Sequence, residues 1–68
     1  MKATIRYRFG NAVRQLTITN VKKNEPNSIV QEFIRQTRLP RNTYISTIKC
    51  GLTKYEWKGS AVDAFPSR

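Results

Sequence analysis

The sequence predicts an α+β domain of two layers, a four-stranded, mainly antiparallel sheet with one helix packed on one face. Three observations predict it. Ala3 to Phe9 alternates between apolar and polar side chains, the pattern of a half-buried strand. Ile29, Val30, Phe33 and Ile34 fall on one stripe at helical spacing. Two turn signals, Gly10-Asn11 and Gly51, each divide a pair of β-rich segments.

In the first strand Ala3, Ile5, Tyr7 and Phe9 share one face, and Lys2, Thr4, Arg6 and Arg8 the other. Gly10-Asn11 makes a tight turn, since both residue types tolerate positive φ. Ala12 to Thr19 is the second strand, with Leu16 and Ile18 opposite Val13, Gln15, Thr17 and Thr19. A polar connection with Lys22, Lys23 and Asn24 leads to Pro26, which presets φ for a helix start. Asn27 or Ser28 is the cap, and Ser28 with Gln31 fits capping-box spacing. The helix runs from about Ser28 to Thr37, with Gln31, Glu32, Arg35, Gln36 and Arg38 facing away from the core. Pro40 ends it, because the residue before a proline avoids helical angles.

Arg41-Asn42-Thr43 is a loop. Strict alternation over Tyr44 to Cys50 puts Ile45 and Thr47 on one face and Tyr44, Ser46, Ile48 and Cys50 on the other. Thr53 to Lys58 is the fourth strand, with Thr53, Tyr55 and Trp57 opposite Lys54, Glu56 and Lys58. Residues 1–60 thus form a single ββαββ domain, and 61–68 a C-terminal tail, either frayed or with Phe65 docked on the core. The expected core is Ile5, Tyr7, Phe9, Leu16, Ile18, Ile29, Val30, Phe33, Ile34 and Ile48.

The Gly10-Asn11 turn, the Pro26-Asn27-Ser28 helix start and the Leu39-Pro40 stop give an order that resembles the β-grasp layout of ubiquitin-like and protein G-like domains. That resemblance covers most of the chain and rests on generic punctuation. It implies a central first strand lying parallel to the last one.

Composition narrows the function classes. Thirteen Lys and Arg face four Asp and Glu, a net charge of +9 on 68 residues. Such a surplus favours polyanions or acidic partners. With no His, and with Glu25, Glu32, Glu56 and Asp63 scattered, the residues suggest no acid–base pair and no enzyme. Cys50 is the single cysteine, without a nearby base, and reads as a small apolar residue at a strand end. No phosphate loop or ligand cluster points to a cofactor or a metal. The lone cysteine suits a reducing, cytoplasmic setting, and no apolar run approaches the ~18 residues of a membrane span.

What remains is a basic surface. Lys2, Arg6, Arg8 and Arg14 would contact phosphate, helped by Lys54 and Lys58, with Tyr55 and Trp57 as stacking surfaces for unpaired bases. The plainer reading makes the charges a solvated strand face and places Tyr55 and Trp57 in the core or at its rim. Arg35, Arg38 and Arg41 form a second basic cluster, where complementing the helix dipole is the simpler role. The function expected is therefore nucleic-acid binding, to DNA or RNA, with weak sequence preference. The alternative is a protein-binding module or a small inhibitor, of the kind phages and mobile elements encode, that meets an acidic protein surface. A bare strand edge would favour a protein partner, including a homodimer.

Overall fold

In the computed structural model, which describes residues 1–65, four strands form one sheet with a single helix across one face. The strands are β1 (Ala3–Phe9), β2 (Ala12–Ile18), β3 (Tyr44–Cys50) and β4 (Thr53–Ser60), and the helix is α1 (Pro26–Thr37). Sheet order is β2-β1-β3-β4, and every neighbouring pair is antiparallel. The neighbour of β1 is therefore β3, not the last strand in parallel as the β-grasp resemblance implied. Burial accounts for the order. Ile45, Ile48 and Cys50 of β3 are fully buried, whereas no residue of β4 is, so the more apolar strand takes the interior.

Both hairpins close through two residues with glycine first. Gly10 has φ +62° and Gly51 φ +61°, while Asn11 and Leu52 keep negative φ. Positive φ at the first central residue alone is the pattern of a type II′ turn, whose twist matches the flanking strands.

The helix begins two residues before the expected Ser28, with Pro26 in the first turn and Glu25 as N-cap. The expected capping box does not form. Glu25 makes no side-chain cap bond, and Ser28 Oγ donates to Glu25 Oε1 at 3.4 Å. Gln31 reaches away instead and donates to the Ala64 carbonyl. At the far end Arg38 adopts a left-handed conformation, φ 59°, and its N–H donates to the Ile34 carbonyl at 2.8 Å, ahead of Pro40.

The core lies between helix and sheet. Ile29, Val30, Phe33 and Ile34 meet Ala3, Ile5, Ile18, Ile45, Ile48 and Cys50. Two expected core residues are not in it: Phe9 is 51% exposed and Leu16 37%. Both are on the core face but outside the buried cluster: Phe9 at the hairpin end of β1, and Leu16 on the outer strand β2 opposite Ile5.

Alternation along β3 is broken. Ile45 and Ile48, three residues apart, both face the core because Ser46 is an extra residue against β1, between the pairs Arg6–Thr47 and Tyr7–Ile45. Opposite the same point β4 carries an extra residue too, between the pairs Thr47–Glu56 and Ile45–Gly59, with Lys58 at φ 49°. These bulges turn Tyr44 to the open face and correct the sequence-based partition of β3.

The segment read as a tail from Ala61 is a packed element as far as Phe65. Ala61–Ala64 form a 3₁₀ turn with Ala61 and Ala64 buried, and Phe65 packs against the core. Ser60 caps the turn, accepting from Val62 N–H at 3.2 Å, and Ala61 N–H donates to the Thr43 carbonyl at 2.8 Å. The remainder of the expected tail, residues 66–68, lies outside the described residues. Among the described residues no helix is long and apolar enough to cross a membrane.

Candidate nucleic-acid interface

The helix leaves the other face of the sheet open, and the ladder register fixes what that face carries. One row across the strands reads Thr17, Thr4, Lys49, Lys54, and the next reads Gln15, Arg6, Thr47, Glu56. Arg8 lies one step further along β1, paired with Val13. Lys2 precedes β1 and borders a cleft with Thr4, Thr17 and Lys49. Thr4, Arg6, Gln15, Thr47, Lys49 and Lys54 together line a shallow depression at the middle of the face.

The electrostatics of this face are one-sided. Arg6, Arg8, Lys49 and Lys54 are exposed, and the carboxylate among them is Glu56. Glu56 is held by Lys58 at 3.1 Å, which lowers its pKa from the ordinary 4.5 and keeps it charged. Arg6 has a 3.4 Å contact with Gln15 Oε1, a neutral partner. Lys49 and Lys54 are direct cross-strand partners, an arrangement of like charges that opposes sheet stability.

Lys49 was missed by sequence reading. Unbroken alternation would have put it on the same face as Ile45, and only the bulge at Ser46 separates the two. Its neighbours Ile48 and Cys50, both apolar, were the available signal.

Arg14 does not join this face. It pairs with Tyr7, so it lies on the helix side of the sheet, where its guanidinium sits 5.2 Å from the Phe9 ring centroid. Tyr55 and Trp57 are not on the basic face either. Tyr55 pairs with Ile48 and Trp57 follows two residues on, so both point to the core side and pack half-buried against it. Their polar atoms are engaged. Tyr55 Oη donates to the Asn24 carbonyl or its Oδ1, both at 2.9 Å, and Trp57 Nε1 donates to the Ser60 carbonyl at 2.9 Å. The aromatic that does reach the basic face is Tyr44, with the Arg8 guanidinium 4.9 Å from its ring centroid.

The second basic cluster is dispersed among local partners. Arg35 is bonded to Glu32, Arg41 lies 4.5 Å over the Phe65 ring, and Arg38 is the helix C-cap residue. Glu32 also accepts from Gln36 Nε2 at 2.9 Å, and this bond, with Arg35, lowers its pKa. No protein-family model, curated protein or solved structure matches the chain.

Proposed function

We propose that the protein is a small, cytoplasmic, non-enzymatic nucleic-acid-binding protein that holds phosphate on the open face of its sheet, with weak sequence preference. The observation that carries this reading is the Lys49–Lys54 pair, side by side with Arg6 and without an unengaged carboxylate between them. Like charges directly opposed on a sheet destabilise it, and a bound phosphate reverses the sign of that interaction. Arg8 and Lys2 extend the surface along β1, and Lys58 flanks it beyond Glu56. Base stacking rests with Tyr44 rather than with Tyr55 or Trp57, and one aromatic beneath an arginine supports backbone contact more than base readout.

The test is a fluorescence-anisotropy titration of labelled single-stranded DNA, duplex DNA and RNA, each at two salt concentrations. The expected result is submicromolar binding at physiological salt, with a logarithmic salt slope of about −0.7 to −0.9 per phosphate neutralised. Binding that appears only at low salt and is equal for all three polymers would overturn the reading. The charge would then be that of a generic polycation, and an acidic protein surface would become the partner to seek.

A further inference from the structure

The two edges of the sheet are protected very differently. The β4 edge carries Lys54, Glu56 and Lys58, a bulge beside Trp57 and a left-handed Lys58, all devices that prevent another strand from pairing there. The β2 edge has none of them. From Ala12 to Ile18 it is seven residues long, has no proline and no lysine, and pairs with β1 in unbroken register. Its residues from Ala12 to Thr17 are exposed. Its one charged side chain, Arg14, is drawn over the Phe9 ring of its own chain.

From this asymmetry we infer that the β2 edge pairs with the β2 edge of a second copy, making one continuous antiparallel sheet across a two-fold axis at Gln15. The register follows from the hairpin. A two-residue turn makes Phe9–Ala12 a hydrogen-bonded pair, so alternation commits the backbone groups of Ala12, Arg14, Leu16 and Ile18 to β1. The N–H and C=O groups of Val13, Gln15 and Thr17 point outward. Centred on Gln15, these groups match: Gln15 faces Gln15 of the second copy, and Val13 faces Thr17. About six backbone hydrogen bonds form, and β-branched pairs meet on the open face. Charge selects the same register, because Arg14 then faces Leu16 and no like charges are opposed. A second copy is the occupant that supplies this self-complementary pattern, and so small a domain gains from the added burial. The inference stands apart from the nucleic-acid reading. Both helices fall on one side of the joined sheet, and the two basic faces on the other.

Sedimentation velocity of the full chain, from low micromolar to millimolar concentration without nucleic acid, tests association. The expected result is a concentration-dependent shift from the monomer mass to twice that mass. A monomer at every concentration overturns the inference. Cysteine cross-linking with oxidised glutathione tests the register. In the Gln15→Cys variant the two α-carbons face each other about 5.5 Å apart, within disulfide reach. In Val13→Cys the equivalent positions are separated by about 14 Å along the strands. Gln15→Cys is expected to form covalent dimer at least tenfold faster than Val13→Cys, and mixing Val13→Cys with Thr17→Cys to restore fast cross-linking. Equal rates for the two single variants overturn the register. The wild-type chain is the control, with Cys50 buried.

Discussion

The rings of Tyr7 and Phe33 meet with centroids 5.0 Å apart and planes inclined by 58°. This contact joins the middle of β1 to the middle of α1. Phe33 is fully buried, and Tyr7 covers the end of the core nearest the exposed Phe9. Replacing Phe33 with Ala is expected to cost about 3–5 kcal/mol through lost burial and an unfilled cavity. For a 68-residue domain that is a large part of the total stability, so the variant should be unfolded or aggregated at ambient temperature. A cooperative thermal melt within a few degrees of the parent would contradict the helix-on-sheet core.

Lys54→Glu separates function from stability. It turns the like-charge pair with Lys49 into an opposite-charge pair, so denaturant unfolding should show a gain of about 0.2–1 kcal/mol. The same variant should bind nucleic acid more weakly. A variant that is more stable and binds as before would remove Lys54 from the interface.

Reversing Arg6 and Arg8 to Glu is expected to abolish binding at physiological salt while leaving the far-ultraviolet circular dichroism unchanged, because both side chains are exposed. Neutralising them to Gln should lower the salt slope by about 1.4–1.8, one phosphate per residue. Unchanged affinity in either variant would move the contact surface away from β1.

Tyr55→Phe gives the complementary result. The lost phenol donates to Asn24, so the variant should lose about 0.5–1.5 kcal/mol of stability and bind nucleic acid as the parent does. A fall in affinity without a fall in stability would return Tyr55 to the interface.

Part of the acid sensitivity should trace to Glu32, with Glu56 the other carboxyl whose pKa is lowered. The folded pKa of Glu32 lies below the ordinary 4.5, chiefly through the bond from Gln36 and then that from Arg35. A depressed carboxyl pKa contributes stability above the ordinary value and loses it as pH falls through the folded value. Chemical denaturation from neutral pH to below 4.5 should therefore show a decline that is shallower in Glu32→Gln, with the parent's advantage over the variant greatest at neutral pH and lost in acid. The effect should be small, since the group lies at the surface.

Much of the local structure was legible because its causes are local. The alternation of Ala3 to Phe9, the glycines at 10 and 51 and the stripe from Ile29 to Ile34 each specify one element within a few residues. Strand order was not legible, since hairpin, helix, hairpin is compatible with either β3 or β4 beside β1. The deciding quantity is how much each strand buries, which is settled only against the helix. The face of Lys49 was hidden for a related reason. Ile45 and Ile48 cannot share a face under alternation, and burying both requires the Ser46 bulge. Of the candidate site, Arg6, Arg8 and Lys54 could be placed by period alone. Arg14, Tyr55 and Trp57 have the opposite orientation because their cross-strand partners, Tyr7 and Ile48 among them, face the helix.

Cys50 ends β3 at 1% exposure, with its Sγ 3.4 Å from the Met1 sulfur. A thiol so enclosed is alkylated only when the segments around it, Met1 among them, move apart. The chain thus contains its own clock: the labelling rate of one native atom, compared with that of an unfolded peptide, measures how often this end of the sheet opens. No dye or tag is needed, so the same clock can be read in free protein, at high concentration and on nucleic acid. Any partner that clamps the sheet will slow it.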